Sequence, residues 1–245
     1  MAGGPLRLFR IGSSVVPFAS HSSLDFDWEP FAEGRLLEIG RRYAALDFRF
    51  SLHPGQYAVL NSPNASVVEA AIAEIGYSCR VLDLMGLDNQ HKVVVHGGGL
   101  YGDKISSIDR LTNKLLGLPQ FIRKRLVLEN DERIFNLEEI VGVSEKSGIP
   151  AVFDIHHHQI NPSEPVTELL LRLREVWDCV PKVHISSQRP NSRVGAHDDM
   201  VFDEDLRTLC DVLPFEADLM IEAKAKEVAA LRAFSYLEKA DRLAP

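Results

Sequence analysis

The sequence predicts an α/β chain, a (β/α) barrel of TIM type with seven βα units. Three observations carry that prediction. Seven short apolar or β-branched runs recur, and each is followed by an amphipathic stretch. The runs are nearly continuous in apolarity, as parallel strands buried on both faces are, rather than alternating. Nearly every run ends in His, Asp, Glu or Lys, and a barrel gathers the C-terminal ends of its strands at one mouth.

The elements follow in order. "LRLFRIGSS" from Leu6 leads through "SSVVPFASH" to His21, and a helical pattern covers roughly 29–46. "FRFSLHPGQY" from Phe48 delivers His53, a polar loop spans 54–63, and a helix is predicted over 64–87. "KVVVHGGG" from Lys92 ends at His96, with a helix over 105–119. "RLVLEND" from Arg125 ends at Glu129, with Asp131 and Glu132 as helix-start residues before a helix over 136–147. "AVFDIHHH" from Ala151 carries Asp154 and a triple histidine, then a helix over 165–178. "KVHISSQ" from Lys182 carries Lys182 and His184, and a long polar loop, 186–200, holds His197 and Asp199 before a helix over 203–213. "ADLMIEAK" from Ala217 carries Glu222 and Lys224, and a last helix is predicted over 225–240. A dinucleotide-binding sheet is disfavoured: no GxGxxG follows the first strand, and "HGGGLYG" lacks that spacing.

No Pro/Gly/Ser linker or charge run divides the 245 residues, so one domain, 1–245, is expected. No apolar run reaches the roughly 18–20 residues of a membrane span and no signal peptide opens the chain, which predicts an intracellular protein without membrane contact. Cys79, Cys179 and Cys210 are scattered among apolar residues in predicted helices; they read as core thiols and exclude a disulfide framework or a thiolate zinc site. The net charge of −8 speaks mildly against a nucleic-acid partner, but bound cations would offset carboxylates where a phosphate approaches.

A single histidine at a strand end is more often a hydrogen-bonded structural residue than a ligand. Seven strands delivering such groups together are a different matter, because buried imidazoles and carboxylates at one mouth are costly unless compensated. Divalent cations compensate both. Five histidines and three carboxylates, at three or four ligands per ion, suffice for two or three ions if a carboxylate bridges. In "AVFDIHHHQINP", strand period sends Asp154 and His156 to one face and Ile155 and His157 to the other. A strand ending near His156 would let the turn re-aim His157 into the mouth, so one or two of the three histidines are expected to bind metal and the rest to support substrate or a ligand. His91 precedes a strand and reads as surface-exposed. The pattern leaves phosphodiester hydrolysis, amide hydrolysis and sugar isomerisation open.

"LHPGQY", "HGGGLYGDK", "LENDE", "FDIHHH", "KVHISSQ" and "IEAKAKE" occur in that order. Together, from about Phe9 to Leu231, they resemble the ultraviolet damage endonuclease family, relatives of the metal-dependent abasic-site endonucleases. The resemblance implies a (β/α) barrel with a trinuclear site, commonly of manganese, with Zn²⁺, Mg²⁺ or Co²⁺ as other occupants. It implies nicking of damaged double-stranded DNA on the 5′ side of ultraviolet photoproducts, leaving a 3′ hydroxyl. It also implies roles by motif. His53, His96 and Glu129 would hold one ion; Glu129 would bridge to a second, held by Asp154, His184 and Glu222; His157 and His197 would hold the third, with Asp199 a weaker ligand. Lys182 matches a lysine that is carboxylated beside the metals or held near the phosphate, and His21 matches a histidine near them. Gln56 and Tyr57, after the Pro54-Gly55 turn, match a wedge that probes the duplex at the lesion, against the plainer reading that Tyr57 packs on the barrel rim. Ser187, Gln188 and Arg189, in "SSQRPNSR" from Ser186, form the expected phosphate-contacting loop.

One departure stands out. Family barrels have another strand and helix before the segment matching "LFRIGSS", and here only "MAGGPLR" precedes it. Either the sequence starts late relative to its full gene product, or the barrel is expected to be open between its first and last strands. The family's monomer would then give way to reduced stability, dimer formation through the gap or lost activity, with metal binding retained in each case. Two other functions are carried as alternatives: a metal-dependent sugar isomerase or epimerase, and a truncated metal-binding remnant.

Overall fold

The computed structural model describes residues 4–21, 23 and 26–243; Met1 to Gly3 of the opening segment lie outside them. Seven strands are present among the described residues: β1 Leu8–Ile11, β2 Arg49–Leu52, β3 Lys92–His96, β4 Leu126–Glu129, β5 Ala151–Asp154, β6 Lys182–Ile185 and β7 Asp218–Ile221. They alternate with helices α1 Glu29–Ala44, α2 Ala65–Leu84, α3 Lys104–Leu116, α4 Gln120–Arg123, α5 Leu137–Ser147, α6 Ile155–Ile160, α7 Val166–Val176, α8 Asp203–Val212 and α9 Glu227–Lys239. Strand order follows chain order from β1 to β7. The seven predicted βα units are therefore all present. The short helices α4 and α6 are additions that hydrophobic period does not announce, being too short to show one. No described helix is long and apolar enough to cross a membrane.

The chain divides into two compact units. One holds Arg7–Leu128 with Lys146–Pro150. Its parallel ladders pair Leu8 with Arg49 through Ile11 with Leu52, and Ser51 with Lys92. Val93 N–H donates to the Arg125 carbonyl (2.8 Å) and Leu128 N–H to that of Pro150 (2.9 Å). Leu52, Val93–Val95 and Leu126–Leu128 are buried on the strands, against Ile75, Cys79 and Leu82 of α2 and Leu111 and Leu115 of α3. Burial pushes the Cys79 thiol up to about 12, so it behaves as an apolar core group. Gly40 allows α1 to reach the loop after α2: a Cβ there would lie 1.9 Å from the Met85 carbonyl oxygen.

Arg125 is the polar centre of this unit. Its guanidinium is buried, pairs with Asp83 Oδ1 at 2.6 Å, and donates to the carbonyls of Leu87 (2.7 Å), Asp88 (2.6 Å) and His91 (3.1 Å). The loop between α2 and β3 is thereby tied to the foot of β4. His91 is part of the same construction and corrects the expectation of an exposed histidine. It is buried, lies stacked near Phe50 (centroids 5.9 Å apart), and its Nδ1 accepts the Phe50 backbone N–H at 2.8 Å. Phe50 lies on β2 just before its ladder with β3 begins at Ser51, and this imidazole satisfies its N–H.

The other unit holds Met1–Leu6, Glu129–Glu145 and Ala151–Pro245. Phe153 pairs with Val183 and Asp154 with His184; Lys182 pairs with Asp218 through Ile185 with Ile221. Its core is Val152 and Phe153, Leu137, Ile140 and Val141 of α5, Leu169, Leu170 and Leu173 of α7, and Leu206 and Leu209 of α8. Asn136 and Glu139 form a reciprocal cap at the start of α5: Glu139 N–H donates to Asn136 Oδ1 (3.1 Å), and Asn136 N–H to Glu139 Oε2 (3.0 Å). Asp131, expected to start that helix, instead collects the N–H groups of Arg133, Ile134 and Phe135 in the turn before it. Cys210 lies on α8, but Cys179 sits in the bend after α7 and is half-buried, not in a helix.

Arg125→Met removes one side of a buried pair and strips four acceptors of their donor. It is expected to cost about 3–5 kcal/mol in urea unfolding followed by circular dichroism.

Candidate metal centre

The centre is built where β4 and β5 end. Glu129 closes β4, and the next residue, Asn130, turns its side chain onto the backbone of Asp154. Asn130 Nδ2 donates to the Asp154 carbonyl (3.0 Å) and Asn130 Oδ1 accepts the Asp154 N–H (2.9 Å). The amide thus supplies the donor and acceptor that another strand residue would supply, one step past the ladder. Asp154 then caps α6, its Oδ1 accepting the N–H of His157 at 2.8 Å.

That cap changes the reading of the triple histidine. The strand stops at Asp154 rather than near His156, and all three histidines lie on a helix. An aspartate side chain that bonds the backbone three residues on ends an extended run, and strand period no longer applies beyond it. His156 and His157 are both buried.

Three predicted ligands share one device. His157 Nδ1 lies 2.9 Å from the Asn130 carbonyl oxygen, His197 Nδ1 3.0 Å from that of Glu222, and His53 Nδ1 3.0 Å from that of Pro54. A carbonyl only accepts, so each Nδ1 carries the proton and Nε2 holds the lone pair with which neutral imidazole binds a cation.

Carboxylates converge with these rings. Glu129, Asp154 and His157 each present an atom within 4.8 Å of the others, and so do Glu129, His184 and Glu222. Glu129 belongs to both groups. His184 Nδ1 lies 2.6 Å from Glu129 Oε1 and 3.0 Å from Glu222 Oε1. Glu129 and Asp154 are fully buried, and Asp154 Oδ2 has no hydrogen-bond partner among the described residues. Burial alone would pull the His157 imidazole down, but Asp154, Glu129 and Glu132 and the Asn130 carbonyl together push it up to about 9. A buried group held protonated by its neighbours marks a site in want of positive charge. Hard carboxylate oxygens beside imidazole nitrogens suit Mn²⁺, Zn²⁺ or a related divalent ion.

In the other unit, His53 follows β2 and His96 ends β3, and their ring centroids are 5.1 Å apart. Gln56 and Tyr57 are exposed there, Tyr57 at 68%. The Tyr57 ring folds over Gly55, where a Cβ would lie 2.4 Å from it, and its hydroxyl reaches Glu74 Oε1 at 3.4 Å. His21 is exposed, with Nδ1 2.7 Å from Ser23 Oγ, and belongs to neither ligand group.

Lys182 is buried at the start of β6, not its end, two residues before His184 and on the same strand face. The loop after β6 is folded back on itself: Gln188 bridges His197, and Arg189 N–H donates to the Ala196 carbonyl at 2.7 Å. Ser187 is buried, donates to Asp205 and accepts the Phe202 N–H at 2.8 Å, so its hydroxyl serves the loop itself. Gln188 is likewise turned inward, its Oε1 accepting the Gly195 N–H (2.8 Å). Arg189 is half-exposed and 3.3 Å from Asp199, which is exposed and in neither ligand group. Asn130, Glu132 and His156 complete the surroundings. Glu132 reads in the sequence as a helix-start residue and His156 as one of three histidines of which one or two are expected to bind metal, whereas Asn130, within "LENDE", carries no reading of its own.

Residues 3–245 match the family model described as UV-endonuclease UvdE. The chain belongs to the UvdE family. It is 36% identical over 244 residues to the UV DNA damage endonuclease of Bacillus velezensis, covering 95% of this chain and 75% of that protein. The enzyme of that name from Bacillus pumilus is 35% identical over 241 residues, covering 93% and 73%. The crystal structure of SacUVDE superposes with a TM-score of 0.90 at 35% identity, covering 97% of this chain and 82% of that one. A D-psicose 3-epimerase structure reaches a TM-score of 0.63 at 14% identity, covering 97% and 90%, a likeness of fold alone. The fold class is the (β/α) TIM-type barrel that the seven units predict.

Asn130→Ala removes the clasp on Asp154 without touching a ligand atom. Isothermal titration with Mn²⁺ is expected to show about 10–100-fold weaker binding, and the metal-free protein is expected to lose about 1–3 kcal/mol for each backbone group of Asp154 left unmet.

Proposed function

We propose that this chain is a DNA-repair endonuclease, acting inside the cell, that hydrolyses the phosphodiester on the 5′ side of ultraviolet photoproducts with two or three divalent cations. The observation that carries the reading is Glu129, one buried carboxylate common to two ligand groups in a member of the UvdE family. Mn²⁺ is the first choice of ion, with His53, His96, Glu129, Asp154, His157, His184, His197 and Glu222 as ligands. Divalent ions there would supply Lewis acidity toward a phosphoryl group and a nucleophile at neutral pH.

The chain's own residues do the rest. Glu129, fully buried, is positioned to serve two cations at once. Asn130 and the backbone carbonyls fix which imidazole nitrogen is presented, so no reorganisation is needed when charge develops. Gln56 and Tyr57 project from a tight turn and offer an amide and a ring to a gap in the base stack; a damaged step opens at lower cost than a sound one. Arg189 is the cation of the β6 loop offered to the backbone phosphates, while the roles proposed for His21 and Lys182 lie beside the reacting phosphate.

Glu129→Gln is expected to lower nicking of irradiated supercoiled plasmid in Mn²⁺ by at least about 10³-fold, with binding of the same DNA much less affected. Unchanged nicking by that variant would refute the role. Tyr57→Ala forfeits stacking on about one base, so kcat/KM on irradiated duplex should fall roughly 10–100-fold while metal content stays that of the parent.

A further inference from the structure

The loops that follow β2 and β3 are built alike. Each opens on a histidine, His53 or His96, and each carries a glycine two residues before a tyrosine, Gly55 with Tyr57 and Gly99 with Tyr101. In both, the ring folds back over that glycine: a Cβ on Gly99 would lie 2.4 Å from the Tyr101 ring, the same distance as at Gly55 for Tyr57. Tyr57 is the ring offered to a gap in the base stack. Tyr101 has no such task, although it is 43% exposed and Leu100 beside it 39%. Tyr101 also holds its backbone at φ +45°, which a bulky residue adopts only where its surroundings enforce it.

Those surroundings are specific. Asn61, buried in the loop after β2, donates through Nδ2 to the Gly99 carbonyl (2.7 Å), and its Oδ1 accepts the Gly99 N–H (3.0 Å). Gly98 lies so close that a Cβ there would sit 2.3 Å from Asn61 Oδ1. Ser107 of α3, also buried, donates to the same Gly99 carbonyl. Arg110, three residues further along α3, donates to the carbonyls of Asn61 (3.0 Å) and Tyr101 (3.3 Å). The two loops are thus locked into one platform within one compact unit. Its polar groups are spent on rigidity, and it holds two aromatic rings out to solvent.

We infer that Tyr101, flanked by Leu100, is a second stacking surface for the damaged duplex and so a specificity-determining residue. The inference rests on the endonuclease reading of this chain and deepens it. Taking a base out of the stack bares two things, the gap left behind and the face of the displaced base. One ring in the gap covers only the first. A second ring on the same rigid platform covers the other, and because every base has a π-face it does so without selecting among bases. The ligand is therefore an unstacked nucleobase beside distorted duplex. Leu100 adds apolar surface of the kind that wedges against base steps.

The test compares variants of the full chain, supplied with Mn²⁺, on an irradiated duplex oligonucleotide. Tyr101→Ala is expected to lower kcat/KM about tenfold or more, the loss of stacking on one base, with metal content and unfolding midpoint those of the parent. Tyr101→Phe, which keeps the ring, restores most of that loss. Tyr101→Trp gives a direct readout, since Trp28 and Trp177 are both buried: its emission should be quenched by irradiated duplex and much less by sound duplex. Parent-like kcat/KM in Tyr101→Ala overturns the inference. So does a loss that Tyr101→Phe fails to restore, with the emission of Tyr101→Trp unmoved by irradiated duplex. If the parent neither nicks nor binds irradiated duplex, the endonuclease reading fails and takes this inference with it, a result distinct from a parent that nicks while Tyr101 proves idle.

Discussion

The structure turns on a concentration of negative charge in a place with almost no water. Glu129 and Asp154 are fully buried, and Glu222 lies within 3.0 Å of the same His184 nitrogen that Glu129 touches at 2.6 Å. Two carboxylates facing one imidazole nitrogen cannot both be satisfied by its single proton. Ionised carboxyls in the interior cost several kcal/mol each unless a positive partner is supplied. Protons on histidine are the partner of last resort, which is the meaning of His157 held up to about 9. Divalent cations are the better one, being doubly charged and able to take oxygen and nitrogen ligands together. The same charge that makes this end of the fold expensive is therefore what equips it for chemistry on an anion.

Holding that charge in place falls to backbone groups more than to side chains. Asn130 stands in for a strand neighbour, Asp154 spends one oxygen on the α6 cap, and two carbonyls orient His157 and His197. Each of these bonds uses the ligand's spare valence and leaves the coordinating atom aimed. Because those partners are the main-chain carbonyls of Asn130 and Glu222, the orientation is inherited from the ends of strands β4 and β7. Strand ends and the caps on them set side-chain direction here, whereas Gln56 and Tyr57 lie on an exposed turn with the Tyr57 ring over Gly55.

Most of the strands were legible because buried parallel strands write themselves as unbroken apolar runs, and "KVVVH", "RLVLE" and "AVFD" do so plainly. The candidate ligands were legible as acidic and imidazole residues at strand ends, and the structure brings Glu129, Asp154 and His157 together, as it does Glu129, His184 and Glu222. What the sequence hid was local competition. Asp154 reads equally well as a strand residue and as a cap; its side chain takes the cap, while Asn130, at the end of the preceding strand, satisfies its backbone. His91 reads as exposed because it precedes a strand, yet the Phe50 backbone N–H on the neighbouring strand needed an acceptor. Ser187 and Gln188 look like phosphate donors in a polar loop, but the loop's own hairpin consumes their bonds.

Buried polar residues in this chain divide by where their hydrogen bonds end, and that division separates architecture from function. Arg125 and His91 are buried and fully answered from within, by Asp83, three carbonyls and one N–H. Removing either disturbs only the fold. Asp154 Oδ2 and both nitrogens of His156 are equally buried and have no hydrogen-bond partner among the described residues. Some orphaned groups are cheap: the hydroxyls of Ser51 and Ser78 are small and neutral. A carboxylate oxygen and an imidazole are not, and they stand within three residues of each other beside a carboxylate cluster. A buried carboxylate oxygen without a partner among the described residues, in the same ligand group as Glu129 and His157, is where a bound cation would supply the charge that the chain supplies to Arg125 from within.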